Sequence, residues 1–394
     1  MPYRRQLFID AASDSLNHAG EELCGDKVEF FRGEDFFLAV LADGLGSGVK
    51  ANILATLTSK IIATMLSQGA TIGEAVETIA STLPVCSERG IAYSTFTIAN
   101  VRSDGRVYLA EFDNPSLVRY HKGKLCYIER AEREIGGKHV FVSEFCAEPE
   151  DMLIMFSDGV VHAGVGRLLD LGWQYENIVT YISENIKPDM SPRELVRRLL
   201  SAVNTLYMER PGDDSTVCAL LLKPKRVATV MVGPPINREM DETMVKRLMY
   251  SDGLRVVCGG TTSQILSRVT GKELQVSVDY ENPAVPPTAR ISGVDLVTEG
   301  VLTIGRCIDI IRGINTAGPD GWDRVSMYKK DGAAQLSRLL LEDCTEICFL
   351  VGRAINPAHQ NPGMPVSLGL KLNLIKELAQ ELKKTGKAVS VEYF

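Results

Sequence analysis

Val40-Leu41-Ala42-Asp43-Gly44-Leu45-Gly46-Ser47-Gly48 is the stretch on which the fold turns. The apolar run over 36–41 predicts a buried strand. It ends on an acid, passes three glycines in five residues, and enters a long helical pattern from Ser47. A carboxylate at a strand end, followed by backbone that obstructs nothing, suits a metal ion or a phosphate. A tight strand-to-helix turn with a solvated acid is the competing reading. Three further acidic motifs weigh against it.

Upstream, residues 6–12 and 27–31 read as strands, with Gly25-Asp26 between them and a Gly-containing turn at 32–35. A hairpin there brings Asp26 and Asp43 to one end of a sheet. Downstream, 47–67 is helical, with Val49, Ile53, Leu57 and Met65, beside Leu54, Ile61 and Ile62, as its expected core-facing stripe. Thr71-Ile72-Gly73-Glu74 has capping-box spacing for a second helix. Residues 94–156 change to short β-rich runs at 94–100, 107–112, 116–121, 124–128, 140–145 and 152–156, separated by turns. The last runs into Ser157-Asp158-Gly159. Helical patterning returns after Gly166, with a capping box and first-turn proline at Ser191-Pro192-Arg193-Glu194. Gly212-Asp213-Asp214-Ser215-Thr216 then precedes an apolar strand over 217–222. The order predicts an α+β domain in which a central antiparallel β-sandwich carries helices on both outer faces.

The bulk numbers bound the rest. The 394 residues favour two domains, and 45% hydrophobic with 24% charged residues is ordinary for a globular chain. Net charge is −7, so no basic surface advertises nucleic acid. The first residues lack the apolar core of a signal peptide, and no uninterrupted apolar run reaches the ~20 residues of a membrane helix. Nine cysteines contain no CxxC pair, which reads as reduced thiols in a cytoplasmic protein.

Asp26, Asp43, Asp158 and Asp213 thus each stand beside or one residue from a glycine at a strand boundary. Clustered carboxylates repel unless a cation joins them, and hard divalent ions such as Mg²⁺ or Mn²⁺ take oxygen ligands. Gly44 leaves its carbonyl accessible as another donor.

Gly25-Asp26, Ala42-Asp43-Gly44-Leu45-Gly46-Ser47-Gly48, Phe156-Ser157-Asp158-Gly159-Val160 and Gly212-Asp213-Asp214-Ser215-Thr216 together resemble the metal-dependent protein serine/threonine phosphatases (the PPM family), in the branch of stage II sporulation protein E. The resemblance covers about residues 8–222. It implies two Mn²⁺ or Mg²⁺ ions, with Asp43 bridging both, Asp158 and Asp213 completing one site, and Asp26 with the Gly44 carbonyl completing the other. Asp43 and Asp158 carry the catalytic role. Asp214 is an alternative to its neighbour Asp213. Two positions depart from the family pattern: His162 stands where branch members often have an acid, a candidate for proton transfer to the leaving oxygen. Asp113, in Phe112-Asp113-Asn114-Pro115, is a candidate extra ligand, with a turn acid as the alternative. No arginine precedes Gly25 where other branches bind phosphate.

Lys223-Pro224-Lys225-Arg226 reads as a linker, giving domains at 1–224 and 225–394. Beyond it, strands at 227–232, 254–258, 274–278, 294–297, 347–351 and 388–393 alternate with helical stretches, which predicts an α/β domain with a mostly parallel sheet. The loops Cys258-Gly259-Gly260-Thr261-Thr262-Ser263 and Val297-Thr298-Glu299-Gly300 match no phosphate-binding fingerprint. This domain is read as a regulatory module, or one binding a small molecule or protein, and the run 281–287 as a loop and contact surface. The expectation is a cytoplasmic bacterial phosphoserine/phosphothreonine protein phosphatase with two activating metals and an in-line water attack. Its substrate would be a phosphorylated regulatory protein such as an anti-sigma-factor antagonist, with neither nucleic acid nor membrane as partner. The alternative is a non-catalytic signalling scaffold whose second domain senses a ligand.

Overall fold

A computed structural model describes residues 6–82, 94–187, 190–276, 288–317, 331–354, 360–361, 364–365 and 368–394. The chain divides into two compact units, Met1–Pro224 and Lys225–Phe394.

In the first unit two antiparallel sheets face each other. One runs in the order β2 (Asp26–Arg32), β3 (Phe36–Gly44), β4 (Ser94–Arg102), β5 (Arg106–Phe112), β9 (Lys138–Cys146) and β8 (Ala131–Ile135). The other runs β1 (Leu7–Leu16), β11 (Ser215–Pro224), β10 (Asp151–Phe156), β6 (Val118–His121) and β7 (Lys124–Cys126). Side chains alternate across each strand, and here both faces are covered. Phe37, Ala39 and Leu41 of β3 meet Leu153 and Met155 of β10 in the layer between the sheets. Leu38 and Val40 turn outward onto Ile62, Leu66 and Val76 of α1 (Gly48–Ser67) and α2 (Ile72–Thr82). On the opposite side Met152, Ile154 and Phe156 meet Ile178, Leu195 and Leu199 of α4 (Tyr175–Asn185) and α5 (Pro192–Leu206). Burial on both faces is why 36–41 reads as one continuous apolar run rather than an alternating one. The sandwich with helices outside is therefore the architecture of this unit.

The first capping box forms in full; the second forms only its serine cap, with the Glu194 side chain on Arg198 instead. Thr71 Oγ1 accepts the Glu74 N–H at 3.2 Å while Glu74 accepts the Thr71 N–H at 2.7 Å. Ser191 Oγ accepts the Glu194 N–H at 3.2 Å, with Pro192 in the first turn.

Two expectations are corrected. Of the expected stripe, Ile62 is buried and Ile61 and Met65 pack on the core, but Val49, Ile53 and Leu57 are exposed; α1 also buries Ala51, Ala55, Thr58, Ser59, Ala63 and Leu66. Small residues win the inner face because α1 lies so close to the β3 turn that a larger side chain has no room. α1 is also, by length and composition, apolar enough to cross a membrane, which counting uninterrupted apolar residues had missed; 39% of its most apolar window is buried inside the unit. Strand β8 went unread because Ala131-Glu132-Arg133-Glu134-Ile135 is a nearly fully exposed edge strand with no apolar alternation.

In the second unit Leu296–Thr298, Leu254–Cys258, Val227–Val232, Glu346–Val351 and Ala388–Tyr393 lie side by side and parallel. Ala289–Arg290 and Gln275–Val276 extend one edge antiparallel. The stretch 274–278, expected as a full strand, contributes only that two-residue edge among the described residues. One face is covered by Ile304, Ile308, Leu336, Ile375 and Leu378, the other by Met244, Leu248, Ile265 and Leu266, so helices flank both. The proline-rich run 281–287 lies outside the described residues.

Candidate active site

The hairpin β2–β3 places Asp26 directly opposite Asp43. Gly44 N–H donates to the Gly25 carbonyl at 3.1 Å and locks that pairing at its end. From the other sheet, β10 ends at Phe156 and α3 (Asp158–Val161) begins, a single turn. Asp213 and Asp214 sit on the turn entering β11, which lies beside β10. Four chain segments from two sheets thus converge.

Glycine makes the convergence possible. A Cβ on Gly159 would lie 2.0 Å from the Asp214 carbonyl oxygen, and one on Gly44 would lie 2.1 Å from the Ala51 carbonyl oxygen. Only backbone fits at either contact. Tyr207 Oη, itself buried, donates to the Gly159 carbonyl at 2.8 Å and holds the α3 turn in place.

Electrostatically the acids act on one another. The Asp43 carboxyl is held far above the usual carboxylate range, first by burial and then by the charges of Asp26 and Asp158. It also meets the Asp158 carboxyl in a hydrogen bond. Asp26 is raised, chiefly by burial, against the opposing pull of Ser157 and Thr216. Asp213 is pushed up to about 6 by burial and by Asp158. Ser157 Oγ donates to Asp26 Oδ2 at 2.7 Å and accepts the Thr216 N–H at 2.9 Å, tying β2 to β10 and β11. Asp214 is buried; its Oδ1 accepts the His18 N–H at 3.0 Å. Asp213 Oδ1 accepts the Asp214 N–H at 2.9 Å, an acid folded back on its own turn.

Two oxygens in this cluster, Asp26 Oδ1 and Asp214 Oδ2, are buried without a hydrogen-bond partner, as is His18 Nδ1 nearby. Buried polar atoms are almost always satisfied, so orphaned carboxylate oxygens at one spot fit a cation. Among the described residues, no three His, Cys, Asp or Glu side chains already stand in a metal-holding arrangement. The side chains are engaged instead with the serine hydroxyl, backbone amides and each other.

The remaining candidates fall elsewhere. His162 is exposed at the end of the α3 turn, its N–H on the Asp158 carbonyl at 2.9 Å. Asp113 is exposed with a left-handed φ of 50°, and its charge bears on Lys138. Neighbouring Asn114 is spent on Thr95 and Thr97. Ser157, Tyr207 and His18 belong to the site and were not singled out from sequence. Ser157 had a signal, lying inside a quoted motif. His18 had none, since a histidine in an irregular loop carries no periodicity.

The family model described as stage II sporulation protein E (SpoIIE) matches residues 33–223. Among solved structures, the PP2C phosphatase domain with a regulatory fragment of SpoIIE from Bacillus subtilis is 20% identical, with TM-score 0.47 over 54% of this chain and 63% of that one. The chain therefore spans less than two thirds of that structure. The RsbU and RsbW domains of a Mycobacterium tuberculosis protein are 16% identical, with TM-score 0.44 over 67% of this chain and 70% of that one. RsbX in complex with magnesium is 17% identical, with TM-score 0.40 over 55% and 96%. A comparison with curated proteins found no match. The sandwich and the four acid motifs thus lie in the same unit as the family match, residues 33–223, which is to the SpoIIE branch of the PPM phosphatases.

Proposed function

We propose that the chain is a divalent-metal-dependent protein phosphatase acting on phosphoserine or phosphothreonine in a regulatory phosphoprotein, such as an anti-sigma-factor antagonist. The observation that carries this reading is the convergence of Asp26, Asp43, Asp158 and Asp213, with Asp26, Asp43 and Asp213 raised first by burial and then by neighbouring carboxylates, and with Asp26 Oδ1 and Asp214 Oδ2 left unpaired.

The overall reaction breaks the phosphorus–oxygen bond to the serine side chain and forms one to a water oxygen; the water's proton balances the departing alkoxide. Two Mn²⁺ or Mg²⁺ ions, when held by Asp26, Asp43, the Gly44 carbonyl, Asp158 and Asp213, supply positive charge for the phosphoryl group and lower the pKa of water. Asp214, buried beside Asp213, stands as the alternative ligand. Ser157 fixes one oxygen of Asp26, so the other is aimed rather than free to rotate. Tyr207 keeps the Asp158 turn from drifting.

The test is hydrolysis of a phosphoserine peptide with Mn²⁺. Asp43→Ala and Asp158→Ala should each abolish turnover, a loss of at least about 10³-fold, with circular dichroism unchanged. Full activity in both variants would sink the assignment. Calorimetric Mn²⁺ titration separates this reading from the scaffold alternative, which predicts no binding at millimolar metal.

A further inference from the structure

The second unit holds a charged group outside the chemistry proposed for the acids. Its five parallel strands, counted in chain order from Val227–Val232, lie side by side as third, second, first, fourth and fifth. The first and fourth, Val227–Val232 and Glu346–Val351, are therefore neighbours. The helix after the first packs Met244 and Leu248 on one face of the sheet, and the helix after the fourth packs Ile375 and Leu378 on the other. Chains that part to opposite faces at the carboxyl ends of adjacent strands leave a crevice, and in sheets of this order ligands bind there.

Both strands run into glycine at that end. Gly352 N–H donates to the Val232 carbonyl at 2.9 Å and Ala354 N–H to the Pro234 carbonyl at 3.1 Å, which joins the two loops at their start. Lys371, from the helix Leu368–Lys384, reaches that join. Its Nζ donates to the Gly352 carbonyl, and to the Ala354 carbonyl at 3.1 Å. A Cβ on Gly233, whose φ is +74°, would lie 2.6 Å from Nζ, so glycine is what leaves room for the amine. Gly233 N–H in turn donates to Thr262 Oγ1 at 2.9 Å, which brings the start of the helix Gly260–Thr270 to the same place.

The amine lacks a counter-charge. Lys371 is partly buried, burial alone lowers it to about 8, and no carboxylate acts on it among the described residues. An ammonium has three donors, and the two carbonyls take two of them. Arg353, between those carbonyls in the chain, is exposed and adds a second positive charge to the loop. A cation withdrawn from water is normally paired, so one with a donor to spare and no acid beside it fits an anion.

We infer that the second unit binds a small anionic molecule, a phosphate ester or a carboxylate, in the crevice over Gly233 and Gly352, with its charged group on Lys371. This holds whether or not the acid cluster of the first unit is a phosphatase.

The experiment uses the full chain in EDTA, so that the acid cluster carries no metal. Trace acylation near neutral pH, read by peptide mass spectrometry, reports labelling of Lys371 against the exposed Lys124 as reference. AMP, inorganic phosphate, citrate and the uncharged adenosine are each added at up to about 10 mM. An anion should cut Lys371 labelling at least about fivefold, with Lys124 unchanged and adenosine without effect. The group is named by whichever protects at the lower concentration, AMP and phosphate or citrate. By calorimetry the protecting anion should bind Lys371→Met, and Lys371→Gln as a second variant, at least about tenfold more weakly than the parent. It should bind Asp43→Ala as it binds the parent. Lys371 labelling that no anion changes overturns the inference, as does protection by adenosine equal to that by AMP. Affinity that survives in both lysine variants, or that is lost in Asp43→Ala, also overturns it.

Discussion

Ser157 is the residue on which the site's order depends. Its hydroxyl joins a buried carboxylate to a backbone amide of a neighbouring strand, with no water access to replace either bond. Ser157→Ala leaves the Thr216 N–H without its acceptor and frees Asp26 to rotate. Removing one partner of a buried pair costs about 1–3 kcal/mol. Thermal denaturation should show that loss, and Mn²⁺ affinity should weaken with it; a variant with parental melting and metal affinity would refute this role. Asp26, Asp43, Asp158 and Asp213 stood out in the sequence because each adjoins a glycine at a strand boundary. Their supports were not, because a hydroxyl bridging two strands leaves no trace in spacing along one chain.

At the scale of elements, the helices and strands that carry the acids were readable, and the face each presents was less so. For β3 and β10, burial on both sides makes the orientation immaterial to the pattern. For α1 the apolar-stripe rule was right for Ile62, with Ile61 and Met65 on the core, and wrong for the N-terminal residues. Val49, Ile53 and Leu57 are spaced like a core seam, yet alanines and hydroxyls face the sheet. Close helix–sheet approach rewards small side chains, and hydropathy scales rank those below leucine and valine. The consequence is testable on stability. Changing Val49, Ile53 and Leu57 together to serine should shift unfolding by about 0.5 kcal/mol per site or less, the range of surface substitutions. Leu66→Ala, on the buried face, should cost about 2–5 kcal/mol. Denaturant melts that rank the two in the opposite order would restore the stripe as the inner face.

For the whole molecule, the raised carboxyls couple folding to pH. Asp26, Asp43 and Asp213 hold protons more tightly in the fold than their ordinary values allow. Their contribution is therefore fully present below the usual carboxylate range and is lost as pH rises through the raised values, Asp213 at about 6 among them. Without divalent ions the melting temperature should fall between pH 5 and pH 8. Mn²⁺ should lift it most at the upper end, and EDTA should undo that; a melting curve insensitive to both pH and metal would contradict the acid cluster as described. Another property of the fold concerns the order in which it can form. The first strand, β1, pairs along its whole length with β11, Leu7 opposite Pro224. Nearly all of the unit is thus translated between two strands that need each other. During synthesis β1 waits without its partner until the last strand of the unit emerges, and such long-range closure is slow. The acids of the two sheets share a site only after that closure, so under the proposed function the competence to bind an ion would appear late, as a report that the chain has finished folding.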